Sequence, residues 1–358
     1  MTTVTSNTRW QDAIAKARAE DELTLEDIVA LLESDAEQAE ELFAVADGIR
    51  RRYTGDWVHL LGVIEFSNIC QNQCGYCGLR APNRAIERYR MTVAEIVEGA
   101  KKAEAMGLKT IVLQSGEDAG FTIDRVEETI RAIKAETKLA ITLSIGEWSR
   151  EDYARMRRAG ADRYLLKLET SDPDLFMAIH PDGGYGPRMQ ALQDLVAEDF
   201  LVGSGTLVGL PGQTTEMLAR DILLFKEYEI DLIGVAPFVP NPHTPLGEHA
   251  PGSVDLTLKM MAVTRIVTKN AHIPTMTALT TLDPEAREKA WRAGANESMP
   301  ILTPGEYREH YQIYPQRAAA AADPRETVGD IGEQAAAAGR WVSPGFGESL
   351  KHPPYAQF

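Results

Sequence analysis

Eight short apolar runs recur along residues 57–317 of the chain, and helix-length segments lie between them. The runs begin near Val58, Lys109, Ala140, Arg163, Val202, Asp231, Ile273 and Asn296. Strands that alternate with helices predict βαβ units and a parallel sheet. Eight such units predict an α/β fold, a (β/α)8 TIM barrel whose active site lies at the carboxyl ends of the strands. An open doubly wound sheet is the alternative, but no G-x-G-x-x-G opens a helix after the first run.

The segment after the first run, MTVAEIVEGAKKAEAMG, carries the end signals of a helix. Thr92 and Glu95 have the spacing of a capping box, in which each side chain accepts a hydrogen bond from the other residue's backbone N–H. Gly107 follows the last apolar position, where glycine commonly ends a helix. We therefore expect a helix between Thr92 and Gly107.

Three parts are expected along the chain. Residues 1–56 are predicted to form an N-terminal helical extension, residues 57–317 the barrel, and residues 318–358 a C-terminal extension that packs on the barrel. Within the first part, residues 9–52 carry apolar side chains at helical spacing among many acids. We expect this extension to be solvated; a helical cap packed on the outside of a larger body is the alternative.

All the cysteines of the chain, Cys70, Cys74 and Cys77, fall in the run EFSNICQNQCGYCGLR, with Tyr76 just before the third. The odd count and the lack of an export signal disfavour a disulfide. A structural zinc site normally has four ligands, and no histidine stands nearby to complete one. A 4Fe-4S cluster has four irons, so three thiolates would leave one iron open to an exchangeable ligand. The motif therefore favours chemistry at iron over simple electron transfer.

Polar residues follow most of the predicted strands and should converge on one mouth of the barrel. The second run ends in Gln114–Asp118, the third in Ser144–Trp148, and the fourth in Lys167–Ser171. A charge within an apolar strand is costly unless it is paired or faces a polar cavity. We therefore expect Lys167 and Glu169 to face inward at the top of the barrel.

Charge and hydropathy limit the partners. The formal net charge of −16 argues against a nucleic-acid-binding surface. No apolar run approaches the roughly 20 residues that span a membrane, and the N-terminus lacks the hydrophobic part of an export signal. Reduced thiols and an oxygen-sensitive cluster both fit the cytoplasm. We expect a cytoplasmic protein that binds neither nucleic acid nor membrane.

The cysteine motif resembles that of the radical SAM superfamily. Longer stretches resemble its HydE-type branch, the maturases of FeFe-hydrogenase; relatives are the PylB-type methylornithine synthases and the biotin synthases. These stretches include RYRMTVAEIV, KTIVLQSGED, TLSIGEWSREDY, GLPGQT, PFVPNPHTPL and the terminal GRWVSPGFGESLK. Apart from the terminal stretch, the resemblance covers roughly residues 57–317, and these stretches are more specific than the cysteine motif alone.

The resemblance implies two cofactors, one 4Fe-4S cluster with an open iron and S-adenosyl-L-methionine (SAM). It implies that Cys70, Cys74 and Cys77 hold the cluster. The residues expected around SAM are Tyr76, Gln114, Ser115, Gly116, Glu117, Ser144, Lys167, Glu169, Arg188 and Leu207. The residues expected around the substrate are Arg163, Met276, Thr277, Met299 and Tyr311.

The chain departs from the branch near the expected cavity. The branch pattern after the fourth strand is R-H-E-T, whereas this chain has Lys167-Leu168-Glu169-Thr170. Leucine in place of histidine removes a hydrogen-bonding group. Lysine in place of arginine removes a planar guanidinium, which can donate two parallel hydrogen bonds. Met276-Thr277 stands where the branch often has two threonines. These changes affect the identity of the substrate and leave the radical chemistry alone.

The resemblance implies reductive cleavage of SAM to a 5′-deoxyadenosyl radical, which acts on a small molecule in the barrel. For a HydE-type maturase this molecule is a cysteine-ligated iron carbonyl cyanide synthon. The expected partners are a reductant protein such as flavodoxin or ferredoxin and the other hydrogenase maturases. Two alternatives stay open: a PylB-like amino-acid mutase or another radical SAM paralogue with a different substrate, and a non-catalytic iron-sulfur carrier.

Overall fold

The computed structural model describes residues 2–317 and 323–349, with side chains from Thr8 onward. Nine strands are present in this part of the chain. They are β1 Trp57–Ser67, β2 Thr110–Ser115, β3 Ala140–Ser144, β4 Arg163–Leu165, β5 Leu201–Val208, β6 Leu232–Pro237, β7 Pro274–Thr275, β8 Glu297–Ser298 and β9 Trp341–Val342. The eight predicted strands are confirmed as β1–β8, whereas β9 was not predicted.

The helices alternate with the strands, and additional helices lie at both ends of the chain. Three precede the barrel: α1 Thr2–Ala19, α2 Leu25–Leu32 and α3 Ala36–Thr54. Those between β1 and β5 are α4 Val93–Ala105, α5 Ile123–Glu136, α6 Arg150–Ala159, α7 Pro173–Ile179 and α8 Tyr185–Ala197. The rest are α9 Thr215–Glu227, α10 Val254–Thr268, α11 Thr277–Leu282, α12 Ala286–Arg292, α13 Gly305–Arg308 and α14 Pro324–Ala337.

Strands β1–β8 form one parallel barrel. The order is β6-β5-β4-β3-β2-β1-β8-β7, and a parallel bridge between Leu232 and His272 joins β6 to the segment that enters β7. This closure confirms the (β/α)8 prediction and contradicts the open doubly wound alternative. Because all eight strands run in the same direction, the loops after them meet at one end of the barrel, which we call the mouth.

Helix α4 shows how local sequence signals set the elements around the barrel. The Thr92 side chain accepts from Glu95 N at 3.3 Å, and Glu95 Oε2 accepts from Thr92 N at 2.7 Å, as the capping box predicts. Gly107, just after the helix, has φ +89°, a conformation that favours glycine. Ile96 and Ala100 are fully buried on the face that packs toward the strands. The predicted bounds of this helix are thus confirmed.

The barrel interior is divided by an apolar layer. Leu61, Val63, Val112, Leu165 and Leu232 form this layer, and Met299 packs against it. It separates a large cavity at the mouth from a small polar cavity at the opposite end, which we call the base. A second and larger core lies between the strands and the outer helices. The packing therefore leaves open space mainly at the mouth.

The N-terminal helices do not form the solvated extension that the sequence suggested. Ile14, Ile28, Leu31 and Leu42 are at most 1% exposed and belong to the main core. Helix α2 contacts α9, and α3 contacts α10, so the three helices cover one side of the barrel. The expectation was wrong because most of the acids lie on the outer face, while most of the apolar stripe packs against the barrel helices.

The C-terminal segment closes the base of the barrel. Strand β9 extends the sheet beside β1, where Trp341 pairs with Trp57. Farther along, Phe346 O accepts hydrogen bonds from Thr110 Oγ1 at 2.7 Å and from Arg163 at 2.5 Å. No helix among residues 2–317 and 323–349 is long and apolar enough to cross a membrane. Leu350 and Lys351, at the end of the terminal sequence stretch, lie outside the described residues.

Candidate active site at the mouth of the barrel

One cavity of about 310 Å³ occupies the mouth, at the carboxyl ends of the strands. The predicted cofactor residues that line it are Cys70, Cys74, Cys77, Tyr76, Gln114, Ser115, Gly116, Glu117, Ser144, Lys167, Glu169, Arg188 and Leu207. The predicted substrate residues that line it are Met276, Thr277, Met299 and Tyr311. Every predicted site residue except Arg163 therefore faces this one space.

The cysteine loop follows β1 and is held in place by backbone hydrogen bonds from three other parts of the barrel. Gln71 N donates to Glu117 O at 3.0 Å, Gly75 N to Ile179 O at 2.7 Å, and Gly78 N to Ile313 O at 2.8 Å. These bonds fix the loop without using any cysteine side chain. The three thiols are therefore left to face the cavity.

Glycine is required where the loop meets its neighbours. A Cβ added at Gly116 would lie 2.3 Å from Ile69 O and 2.6 Å from Cys70 Cβ. A Cβ added at Gly78 would lie 2.1 Å from Gln312 O. Both contacts involve backbone atoms that cannot move aside cheaply, so these two positions set how closely the loop packs on the mouth.

Burial disfavours ionisation of the three thiols more strongly than nearby backbone N–H groups and the Arg88 and Arg188 charges favour it. Burial raises the pKa of all three cysteines, that of Cys77 to about 12, and the charge of Cys70 raises the pKa of both Cys74 and Cys77. Bound iron would reverse this preference, because a coordinating thiol is deprotonated. In the described part of the chain, no three His, Cys, Asp or Glu side chains are grouped to hold one metal ion. A cluster, which places each thiolate on a different iron, does not need such a group.

Charged side chains line the cavity beside the cysteine loop. Arg188, which is 8% exposed, donates from Nε to Glu147 Oε1 at 2.5 Å and from a second nitrogen to Lys167 O. Glu147 N in turn donates to Glu117 Oε1 at 3.3 Å. Burial raises the pKa of Glu117, and the charge of Glu147 raises it further. Glu117 and Arg188 thus offer an acceptor and a cation for an amino acid's two charged groups.

Tyr76 is held by a histidine that was not predicted from the sequence. The Tyr76 hydroxyl lies 3.2 Å from His180 Nε2 and 3.3 Å from Glu169 Oε1. His180 Nδ1 lies 3.2 Å from Phe176 O, which fixes Nδ1 as the protonated nitrogen, so Nε2 and Glu169 Oε1 are two acceptors that face the one hydroxyl proton of Tyr76. Burial lowers the pKa of His180 to about 3, so the ring is neutral. A histidine at the end of the short helix α7 gave no sequence signal for this role.

Glu169 has an unusual backbone conformation at the centre of the mouth. Its φ of +68° is costly for a residue other than glycine. The backbone is held there because Glu169 N donates to Gly205 O at 2.9 Å and Glu169 O accepts from Leu207 N at 3.0 Å. Glu169 Oε2 lies 2.9 Å from Lys167 Nζ. This arrangement directs both members of the ion pair into the cavity, as expected from the sequence.

Leu168, the second departure from the R-H-E-T pattern, does not touch the cavity. It is 1% exposed, and its backbone N–H donates to Ser204 Oγ at 3.2 Å on the neighbouring strand. Leu168 lies after the end of β4, and its side chain is absent from the cavity lining although Lys167 and Glu169 on either side of it belong to that lining. Of the two changed side chains, only Lys167 is in a position to affect what binds at the mouth.

The deeper end of the cavity combines thioethers with a small polar network. Met276, Met299 and Tyr311 line it, and Gln114 Nε2 donates to the Tyr311 hydroxyl at 3.1 Å. Glu65 and Arg317 also line it and form a buried ion pair. This pair was not predicted; its only sequence signal was an acid inside the apolar run VHLLGVIEF. Arg317 also donates to Tyr311 O at 2.5 Å, which fixes the wall next to Tyr311.

Arg163 is not at the substrate cavity, which corrects the prediction. It lines the small cavity at the base, together with His272, Glu297 and Gly347. The physical reason is its place in the strand: Arg163 is the first residue of β4, whereas the mouth is formed by the residues that follow each strand. There it binds Phe346 O and holds the C-terminal segment.

Comparison with known proteins agrees with this geometry. Residues 64–225 match the model of the Radical SAM superfamily. The chain is 48% identical over 276 residues to the [FeFe] hydrogenase maturase subunit HydE of Thermotoga maritima, covering 77% of this chain and 79% of that protein. It is 30% identical over 284 residues to 3-methylornithine synthase of Methanosarcina acetivorans, covering 78% and 80%. The crystal structure of methylornithine synthase (PylB) superposes with a TM-score of 0.83 at 26% identity, covering 92% and 97%.

Proposed function

Because this chain belongs to the radical SAM superfamily, we propose that it is a HydE-type maturase in the assembly of the FeFe-hydrogenase active site. The observation that carries the proposal is the single cavity that joins the three-cysteine loop, the Glu117–Arg188 region and a deeper chamber. A carrier that only hands over a cluster has no need of the last two. The 48% identity to a HydE protein supports this choice within the superfamily.

The residues present fit the two cofactors of the superfamily. Cys70, Cys74 and Cys77 would hold a 4Fe-4S cluster with one open iron. When bound, the cluster and SAM supply one-electron cleavage of the sulfonium and a 5′-deoxyadenosyl radical. We assign Glu117 to the amino group of SAM and Arg188 to its carboxylate, since these are the pairings that charge-assisted hydrogen bonds favour.

The protein's own contribution is orientation and exclusion of water. Tyr76 is fixed by His180 and Glu169, and it presents its ring to the space beside the cysteine loop. Leu207, Phe238 and Val239 give the mouth an apolar side that has no hydrogen-bonding group on its side chains. Such walls keep water and stray hydrogen donors away from a reactive carbon centre.

The proposed substrate is a small organometallic molecule, a cysteine-ligated iron carbonyl cyanide synthon. The deeper chamber suits it because Met276 and Met299 present soft, polarizable thioethers, and Tyr311 adds one hydroxyl. We also propose that the cluster takes its electron from a small reductant protein, that the product passes to other hydrogenase maturases, and that the protein works in the reducing cytoplasm.

A second candidate is a PylB-like amino-acid mutase. The observation that favours it is Lys167 at the cavity where the branch pattern has arginine, together with the 30% identity to a methylornithine synthase. Leu168 no longer supports this candidate, because it is buried away from the cavity.

Two assays on the cluster-reconstituted protein separate the candidates. The first adds the protein to the other maturases and apo-hydrogenase and measures hydrogen production. The second supplies L-lysine with SAM and dithionite and measures 3-methylornithine by mass spectrometry. We expect hydrogen production in the first and no product in the second. Methylornithine formation without hydrogenase maturation would overturn the proposal in favour of the mutase.

A further inference from the structure

A second cavity, which we call the side chamber, lies next to the main cavity. It has a volume of about 180 Å³ and lies between strands β7 and β8 and helices α11, α12 and α14. The polar side chains that line it are Thr275, Thr277, Thr280, Ser298, Thr327 and Arg287. The proposed chemistry at the mouth does not use this chamber.

The side chamber exists because β7 and β8 pair over only a short stretch of backbone. Strands β7 and β8 contain two residues each, and their last pair is Thr275 with Ser298. After this pair, the segment that follows β7 turns into α11 at Thr277. The segment that follows β8 continues along β1, where Ile301 pairs with Val63. The two segments therefore diverge, and only side chains fill the gap between them.

The wall between the two cavities is made of side chains. Thr277, Met299 and Ile301 line both the main cavity and the side chamber. Met299 has three rotatable side-chain bonds and is only partly buried, so it can change rotamer without moving the backbone. Met299 is therefore the flexible member of this wall, and the place where a passage between the cavities can open.

The other side of the chamber reaches the protein surface. Pro284, which is exposed, belongs to the lining. Thr327 and Ile331 of α14 cover the rest. The side chamber therefore connects the outside of the barrel with the wall of the main cavity.

Arg287 gives the side chamber a preference for anions. Its guanidinium donates to Gln334 Oε1 at 2.9 Å, and its other donors have no hydrogen-bond partner among the described residues. It is partly buried, and burial lowers its pKa, with Asp330 as the opposing charge. A half-buried arginine with unused donors binds a carboxylate or another small anion well. The net charge of −16 makes the protein as a whole repel anions, and the Arg287 charge offsets this repulsion at the side chamber.

We propose that the side chamber is a second entrance to the main cavity, which admits small carboxylate-bearing molecules past Arg287. The inference rests on the proposed function in one respect: SAM would occupy the mouth, so a substrate that arrives after SAM needs another route. A cysteine-ligated synthon carries the carboxylate that Arg287 selects. The route ends at Met299, where the deeper chamber begins.

Bromide binding tests the anion site without any catalysis. Crystals of the cluster-reconstituted protein are soaked in sodium bromide, and anomalous scattering locates the ion. We expect bromide beside Arg287 in the wild type and in Arg292→Gln, a control on the exposed end of the same helix α12. We expect none there in Arg287→Gln. Absence of bromide in the wild type, or its persistence in Arg287→Gln, overturns the anion site.

Kinetics test the entrance itself. Arg287→Gln should raise the KM for the anionic substrate about fivefold at low salt and leave kcat unchanged. A positive charge at an entrance speeds the binding of an anion but does not touch the reacting atoms. SAM cleavage without substrate should stay at the wild-type rate, as should both parameters in Arg292→Gln. An unchanged KM overturns the entrance even if bromide binds. Loss of 5′-deoxyadenosine in the wild type would instead contradict the proposed function, so the two failures are distinct.

Discussion

Glu297 is fully buried at the base of the barrel, and neither of its side-chain oxygens has a hydrogen-bond partner if it is ionised. His272 Nδ1 lies 3.1 Å from Glu297 Oε1, while His272 Nε2 lies 2.9 Å from Glu348 O. A neutral His272 that donates from Nε2 has a lone pair on Nδ1, which accepts from Asn296 Nδ2 at 3.2 Å and would repel a carboxylate. Burial raises the pKa of Glu297 to about 8, so its protonated form removes this repulsion and can share Nδ1 with Asn296.

This proton makes the stability of the protein depend on pH. The carboxyl titrates near 4.5 when unfolded and near 8 when folded. Between these values the folded state holds a proton that the unfolded state has released. The contribution of Glu297 to the free energy of unfolding therefore falls as pH rises through this window, by at most about 1.4 kcal/mol per pH unit. Burial lowers the pKa of His59, His180 and His272, which gives the opposite slope up to their unfolded pKa of 6.5. Melting temperatures under anaerobic conditions should accordingly drop between pH 7 and 8.

Glu297→Gln is the matched variant, because an amide donates to His272 at any pH. Its melting temperature should lose most of this slope, whereas the exposed Glu285→Gln control should keep it. The charges of Arg163 and Arg265 also act on Glu297, and His59 pairs with Glu297 between β1 and β8, but all three are unchanged in both variants. Equal slopes in Glu297→Gln and the wild type would show that Glu297 is already ionised at neutral pH.

His180 should act on SAM through Tyr76. His180→Leu removes one of the two acceptors of the Tyr76 hydroxyl and leaves Glu169 Oε1, so the KM for SAM in 5′-deoxyadenosine formation should rise about threefold, the low end of the value of one hydrogen bond. His180→Gln restores an acceptor and should recover part of the loss. Iron content and the visible spectrum of the cluster should not change. If Leu and Gln behave alike, His180 is only a packing residue.

At the level of the elements, the helical spacing of apolar residues predicted the N-terminal helices but not which elements pack against them. Periodicity shows which face of a helix is apolar, and the identity of its partner depends on contacts far along the chain. Helix α2 packs on α9, nearly two hundred positions later in the sequence. Strand β9 was missed for a related reason: two residues are too few for any period to be visible.

Leu31→Ala tests whether the helical extension is part of the barrel core. Leu31 is 0% exposed, so its truncation should cost about 2–5 kcal/mol in the free energy of unfolding, measured with urea. The partly buried Leu25→Ala, on the same helix, should cost clearly less. A solvated extension would give a loss within about 0.5 kcal/mol for both variants.

For the whole molecule, the position of the site followed from the order of the strands, because a parallel barrel has its active site at the carboxyl ends of its strands. Parallel strands bring all their carboxyl ends together, so strand order alone was enough to predict that Gln114, Ser144 and Glu169 share one mouth. The same rule explains the error at Arg163, which begins its strand and so lies at the base. Glu147 and His180 lie beyond the strand ends, on a loop and a helix end, and their inward direction depends on tertiary packing that no local pattern encodes.

The central claim is that the three cysteines hold a cluster whose open iron activates SAM at this mouth. Cluster-reconstituted protein is incubated with SAM and dithionite under anaerobic conditions, and 5′-deoxyadenosine is measured by liquid chromatography. The wild type should form it, Cys77→Ala should not, and Arg163→Gln, altered at the base, should form it as the wild type does. A wild-type protein that contains the full cluster and forms no 5′-deoxyadenosine would contradict the account.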